Sequence, residues 1–477
     1  MNDKFGNATG RGSATPGEPT PSAAQLISQR LDSIPPLPAH VRWAAVIAIG
    51  SFFDSFDSMI LASGLPAIIP TLHIGYAKVG LVISAAFFGM LVGAVIFGAL
   101  GERFGRRTTF AISIMLFGIL SVLCAFSWNF TSLFWLRVLE GLGLGGTLPL
   151  CATISAECMP TKSRGKAYAF SVGLLFACGF IIAPLIGAPI VAMLKPAISW
   201  RVLFCIGGVA FPFGIASFWL LPETPRWLAA HGRLPQAEAL LAKLEAQARK
   251  LGRPLLPVVA SKAWQPKATK FREAFSHAYW RRTVLIWGAF FTTYVVQYGI
   301  GAWLPTLYVK IGGLPPSRAI TLAMIAGCVQ VAFDIVVAFS VDRIGRVSLM
   351  KLSFWIMIAG FVLGILMLSV FHASSWPVLF LTSLVLAAGV SINSGLVYLY
   401  APELFPTRMR SLITATGSAA ARIGSMLSPI LIGNLLQAHL GLVSVFIALG
   451  IVCIVGLVIA SIFGVETKQR SLEDISI

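Results

Sequence analysis

The chain alternates long apolar runs with short polar loops. Runs of spanning length fall at roughly 43–69, 78–100, 108–127, 132–158, 165–194 and 200–221, then at roughly 282–309, 317–340, 347–371, 375–401, 411–437 and 440–464. A helix needs about 20 apolar residues to cross a bilayer, so the pattern predicts twelve transmembrane helices, six on either side of a polar interval. This is the pattern of an all-α membrane protein. Within the interval, Gln236 to Lys250 has amphipathic spacing and predicts a surface helix. The predicted organisation is a tail (1–40), a first six-helix bundle (41–221), a central loop (222–280), a second bundle (281–464) and a short tail (465–477). The first 40 residues are rich in Gly, Pro, Ser and Thr and lack an apolar signal region; they predict disorder that turns helical near Ala23 to Asp32.

The interruptions of the apolar pattern carry the chemistry. In the first run, Trp43 to Ile69, Asp54 and Asp57 lie three residues apart and so share one helix face. An ionised group at that depth costs several kcal/mol or more unless it is paired, solvated or protonated. A span that keeps two acids there is using them; the plainer alternative is a kink cap or a structural pair.

Composition supports the membrane assignment. Charged residues make up 11% and hydrophobic residues 57%, with mean hydropathy +0.84, whereas soluble proteins carry about 25% charged residues. The net charge of +18 would suggest nucleic acid in a soluble chain, but here the basic residues fall in short loops and set topology. Loops after spans 2, 4, 8 and 10 hold eleven Lys and Arg against five on the opposite side, which puts both termini and the central loop in the cytoplasm. The seven cysteines have no metal-ligand spacing and read as small hydrophobes. No metal, no cofactor, no nucleotide-binding loop and no catalytic constellation is expected, so the chain does not read as an enzyme.

The two halves repeat. Gly105-Arg106 returns as Gly345-Arg346 (345 − 105 = 240), Glu157 with Pro160-Thr161 returns as Glu403 with Pro406-Thr407 (403 − 157 = 246), and Glu223-Thr224 returns as Glu466-Thr467 (466 − 223 = 243). Each match occupies the same loop position. Two pseudo-symmetric six-helix bundles around a midplane site are the plan of a secondary transporter.

These loops carry a family resemblance. Gly98-Ala-Leu100-Gly-Glu102-Arg103-Phe-Gly105-Arg106-Arg107 resembles the G-x-L-x-D-R-x-G-R-R signature of the major facilitator superfamily, with Glu102 in place of the usual Asp, and Asp342-Arg343-Ile-Gly345-Arg346 resembles its second copy. Pro222-Glu223-Thr224-Pro225-Arg226-Trp227-Leu228 is similar to the PESPRWL box of sugar porters. Ala401 to Arg410 is similar to the APELFPTRMR box of niacin-type and organic-acid transporters. Asp54-Ser-Phe-Asp57 resembles the D-G-x-D of aromatic-acid:proton symporters, with Ser55 for glycine, and Arg137-Val-Leu-Glu140-Gly141-Leu-Gly143 resembles the span-4 R-x-x-x-G-x-G motif. The resemblance implies a proton-coupled carrier whose span-4 arginine is linked to coupling. Acids at helix ends facing basic residues read as a cytoplasmic gate formed by Glu102, Arg103, Arg106, Arg107, Glu157, Arg164, Asp342, Arg343, Arg346, Glu403 and Arg410, with Glu157 beside Arg164 and Glu403 beside Arg410; the alternative is that these charges only fix topology. Span 5 matches the drug-antiporter motif only in part, through Gly179, Pro184 and Gly187.

Depth ranks the intramembrane residues. At about 1.5 Å of rise per residue, Asp54 lies about 17 Å and Asp57 about 21 Å from the cytoplasmic edge, and Arg422 about 17 Å. Asp57 and Glu140 are at similar levels and are the leading proton carriers, with Arg137 the cation they contact or leave; a static Arg137–Glu140 pair is the alternative. Arg422 is a lone permanent cation whose guanidinium fork suits a carboxylate, unless it pairs with Asp54 or Asp57. Asp334 is either a second coupling site or a partner of Asp342. Tyr294, Gln297 and Tyr298 in span 7, with Asn393 and Tyr398 in span 10, supply hydrogen bonds and aromatic faces to a substrate.

The expected function is proton-coupled import of a small organic acid, an aromatic or heteroaromatic carboxylate, by a protein active as a monomer in the cell membrane. Its partners are the organic anion, protons and the lipid bilayer, and not nucleic acid. Sugar or polyol symport and drug or metabolite efflux are the alternatives.

Overall fold

The computed structural model describes residues 23–160, 173–257, 271–369, 376–406 and 408–467. Among these, twelve helices are long and apolar enough to cross a membrane, and no strand occurs. Spans 1 to 6 are Pro38–Leu72, Tyr76–Phe104, Arg106–Ala125, Phe130–Cys158, Leu175–Met193 and Pro196–Leu220. Spans 7 to 12 are Trp280–Lys310, Pro316–Ile344, Arg346–Ser369, Trp376–Glu403, Arg410–Gln437 and Gly441–Phe463. Every predicted run holds one. The span-6 run is two stacked helices, Pro196–Gly207 and Ala210–Leu220.

Local chemistry sets the helix ends. Pro38, Pro196 and Pro316 open their helices in the first turn, where a missing N–H costs nothing. Gly105 and Gly345 link spans 2 to 3 and 8 to 9 with φ of 98° and 107°, a region that favours glycine. The two glycines mark one end of the bundle, here the glycine end. The opposite end is marked by His73, which closes span 1 (the His73 end).

Small residues bring the spans close. A Cβ on Gly89 or Gly93 of span 2 would lie 2.0 and 2.2 Å from the carbonyl oxygens of Val138 and Leu142 in span 4, so the backbones touch. Spans 1, 2 and 5 pack across the seam on spans 7, 11 and 8. Toward the His73 end the seam is closed: Gly80 meets the Pro429 carbonyl, Gly433 meets the Tyr76 carbonyl, and the Ser84 hydroxyl donates to the Met426 carbonyl at 2.5 Å.

The stretch expected to turn helical is helix Ala23–Ser33, and it is docked. Ile27, Leu31 and Ile34 are buried, and Arg30 pairs with Glu245 at 2.9 Å on the amphipathic helix Leu234–Lys250. The disorder expected before residue 23 lies outside the described residues.

Candidate functional site

Three groups of polar side chains occupy the middle of the bundle, and two more sit at the glycine end. The most enclosed group joins spans 1, 3 and 4. Arg137 grips Asp57 with both terminal nitrogens, at 2.7 Å to Oδ1 and 2.9 Å to Oδ2, and its Nη1 also donates to Glu140 Oε2 at 2.7 Å. All three are fully enclosed, with side-chain exposures of 2% or less. The Cys124 thiol donates to the same Glu140 oxygen at 3.3 Å, and Phe204 lies 5.7 Å from the guanidinium. Asp57 has both oxygens engaged, whereas Glu140 Oε1 is buried without a partner. One guanidinium faces two carboxylates, so the cluster balances its charge when it holds one proton.

The second group lies on the seam. Arg422, from span 11, reaches across to the first half: its Nη1 donates to the Met90 sulfur at 2.9 Å and its Nη2 stands 3.7 Å from Asp54 Oδ2. That distance allows Coulomb attraction but no hydrogen bond, and Asp54 Oδ2 is left without one. The Arg422 side chain keeps 13% of its exposure. Both sequence alternatives for Arg422 therefore bear on one geometry, a cation loosely neutralised by Asp54. Tyr298 meets Phe87 of span 2 edge-on at 4.7 Å and lies 6.0 Å from Tyr294, while Tyr398 meets Phe290 edge-on at 4.8 Å.

The third group lies mainly in the second half, around a cavity that spans 1 and 5 also line, and is uncharged apart from Asp334. The Asn393 amide donates to Thr293 at 2.7 Å, leaving its carbonyl oxygen unpartnered. Gln297 lines a small cavity with Ser63, Phe180, Gln330 and Val390. Its Oε1 and the Ser63 hydroxyl are both buried without partners. Asp334 Oδ1 and the Ser391 hydroxyl oxygen lie 2.5 Å apart, while Asp342 pairs with Arg346, so the two acids do not share a latch.

At the glycine end the repeat becomes geometry. Glu223 Oε1 accepts from the backbone N–H groups of Arg106 and Arg107 at 2.8 and 3.2 Å. Glu466 accepts from those of Arg346 and Val347 at 2.8 and 3.0 Å. A carboxylate at a helix N-terminus satisfies orphan donors and complements the helix dipole. Arg106 holds Glu102 at 2.8 Å and Glu157 at 3.2 Å; Arg346 holds Asp342 at 2.8 Å and Glu403 at 2.9 Å. Thr224 donates to Glu157 at 2.5 Å and Thr467 to Glu403 at 2.6 Å.

The expected pairing at these ends needs correction. Glu403 is held by Arg346, while Arg410 turns its Nε to the Phe405 carbonyl at 3.1 Å. The partner of Glu157 is Arg106, and Arg164 lies outside the described residues. Arg107 lies over the Phe218 ring, and Arg103 and Arg343 occupy the last turns of spans 2 and 8, a favourable place for a cation. The described contacts of each cluster stay within its own half. In the sequence Glu223-Thr224 and Glu466-Thr467 stand out as repeat markers, and Glu223-Thr224 as part of a sugar-porter-like box, but nothing there gives their place in the clusters. Cys124 and Met90 are missed altogether, since an apolar-looking residue inside an apolar run carries no signal.

A bundle of twelve spans in two matched halves, with charged groups buried at its centre and on its seam, is a membrane transporter of the major facilitator type. The profile described as Sugar (and other) transporter matches residues 43–477, and the chain belongs to that family. The niacin transporter NiaP of Acinetobacter baylyi is 30% identical over 454 residues, covering 94% of this chain and 99% of the relative. The 4-hydroxybenzoate transporter PcaK of the same organism is 30% identical over 425 residues, covering 86% and 89%. The inward-open structure of the xylose transporter XylE from E. coli shares the fold with TM-score 0.72 at 18% identity, over 91% of this chain and 98% of that one.

Proposed function

We propose that this transporter imports a small aromatic or heteroaromatic carboxylate together with protons, by alternating access across the cell membrane, with both termini in the cytoplasm. The observation that carries the proposal is Arg422, a permanent cation on the seam that holds Asp54 at ion-pair distance without a hydrogen bond. A substrate carboxylate can offer the guanidinium two short hydrogen bonds in place of one long contact. The rings of Tyr294, Tyr298 and Phe87 suit a flat apolar body beside it. Niacin and 4-hydroxybenzoate, named for two relatives, are both aromatic carboxylates.

The proton belongs to the Asp57–Arg137–Glu140 cluster, where Glu140 has the free oxygen to hold it and Asp57 is the bound counter-ion. With the termini in the cytoplasm, the closed seam near the His73 end supports reading this conformation as inward-facing, and the glycine-end clusters as gate elements that regroup when the cytoplasmic side shuts. A second reading, transport of a neutral polyol or sugar, is favoured by the uncharged cavity at Gln297, Gln330 and Ser63.

The test is uptake of labelled nicotinate, benzoate and a hexose into proteoliposomes, with and without an inward proton gradient. Gradient-dependent accumulation of an acid is the expected result. Arg422→Ala is expected to weaken acid binding at least tenfold, since truncating one partner of a desolvated charge pair costs about 2–5 kcal/mol. Hexose uptake with no acid uptake overturns the proposal, and unchanged acid affinity in Arg422→Ala removes Arg422 from the site.

A further inference from the structure

Asp334 lies in the middle of span 8 with no cation to balance it: among the described residues it forms no ion pair, and Ser391 is its side-chain partner. The elements packed against span 8 explain this. The described part of span 5 contains no charged residue and Cys178 is its one titratable group. Span 7 offers Tyr294 and Tyr298 at mid-depth, and span 10 offers Ser391, Tyr398, Tyr400 and, toward the glycine end, Glu403. Glu403 is committed to Arg346. Span 9 holds its cations, Arg346 and Lys351, in its first two turns, and the Asp54 and Asp57 carboxylates of span 1 are engaged with Arg422 and Arg137.

The hydroxyl of Ser391 settles how the carboxyl is held. Its oxygen lies 2.5 Å from Asp334 Oδ1 and 2.7 Å from the backbone carbonyl oxygen of Gln330. A serine hydroxyl has one proton to donate, and a carbonyl can only accept. If Ser391 donates to Gln330, the shorter contact is a hydrogen bond only when Asp334 supplies the proton. An ionised Asp334 would leave two acceptors competing for one hydrogen. The arrangement is complete with the acid protonated.

Position links this acid to the transport route. The span-8 residues that line the cavity, Ala323, Ala326, Gly327 and Gln330, follow helical spacing, and Asp334 continues that stripe one turn toward the glycine end. Ser391 follows Val390, which lines the same cavity from span 10. Asp334 is half-buried as a residue, in contrast to the fully enclosed Asp57 and Glu140.

We propose that Asp334 is a second proton-binding site, carried by the C-terminal half, loaded in this conformation and unloaded in each transport cycle. This rests on the proton-coupled reading above and deepens it, because each half then supplies its own acid. The proton arrives from water on one side and leaves to water on the other; no other bond changes.

The experiment uses the full chain in proteoliposomes, with membrane potential clamped at zero and an inward gradient of one pH unit, and follows labelled nicotinate to its accumulation limit. Every additional proton moved per cycle raises that limit about tenfold for one pH unit, equivalent to about 1.4 kcal/mol. Native protein is expected to reach a limit about tenfold above that of Asp334→Asn. Equal limits overturn the inference while leaving proton symport standing. No gradient-driven accumulation in the native protein overturns the proton-coupled reading, and the inference with it. Should Asp334→Asn fail to fold, infrared spectroscopy at neutral pH decides: native protein is expected to show a protonated-carboxyl C=O band that shifts in Ser391→Ala. A spectrum unchanged by that substitution overturns the proposal.

Discussion

The two halves of this transporter match closely at the glycine end and diverge in the middle. At the ends, Arg106 and Arg346 have equivalent backbone caps and equivalent ion pairs, matching to within a few tenths of an ångström. They differ chiefly in the guanidinium contact to the preceding helix, 2.7 Å to the Gly101 carbonyl against 3.5 Å to that of Val341. At mid-depth the first half buries a cation between two acids, whereas the second buries an amide on a threonine, holds a half-buried lone acid against a serine, and turns its one cation, Arg422, across the seam. The contrast separates two kinds of constraint. The turn at Gly105 or Gly345 leaves backbone N–H groups unpaired at a helix start, and in both copies a glutamate satisfies them. No such requirement binds the middle, so the middle is where the halves have specialised.

The strongest way to break the comparison is Arg137→Ala. It strands two buried carboxylates and is expected to cost about 3–5 kcal/mol, with loss of transport. Thermal unfolding in detergent measures this, and a melting temperature within a degree or two of native would mean that the cluster is not the charged keystone of the first half.

Gly105→Ala and Gly345→Ala sharpen the comparison at the ends. Each would force a side chain into positive φ, and each new Cβ would meet the capping carboxylate, at 2.2 Å in Glu223 and 2.7 Å in Glu466. Both are expected to cost about 1–3 kcal/mol. Equal losses uphold the equivalence of the two turns, and a loss at one turn alone refutes it.

The smallest effect is expected at the docked tail. The Arg30 and Glu245 side chains are 40% and 17% exposed, so Arg30→Ala is expected to change stability by at most about 1 kcal/mol. A larger drop would make this contact a principal tie of the cytoplasmic helices.

Much of this was legible in the sequence, for physical reasons. Spanning helices announce themselves because lipid forbids unsatisfied backbone and demands long apolar runs. Asp54, Asp57, Arg137 and Arg422 stood out because a charge inside such a run is expensive, and their levels anticipated which would meet: Asp57 with Arg137 and Glu140, Asp54 with Arg422. What one sequence does not carry is rotation about a helix axis. Glu403 was expected beside Arg410, its neighbour across a short loop, but the close-packed start of span 9 brings Arg346 instead. Nor does a periodic pattern say that Met90 and Cys124 turn their sulfur atoms inward.

The closed seam near the His73 end has a consequence for how this protein responds to its surroundings. Where Gly80 and Gly433 press on the backbone of the opposite half, the two surfaces meet as ground glass meets its stopper, by fit and dispersion. Dissolved ions screen charges, and here there is little for them to screen. Brine and fresh water leave this closure alike, so sensitivity to the medium belongs to the opposite end, where the Glu102 and Asp342 side chains of the Arg106 and Arg346 clusters are 72% and 80% exposed.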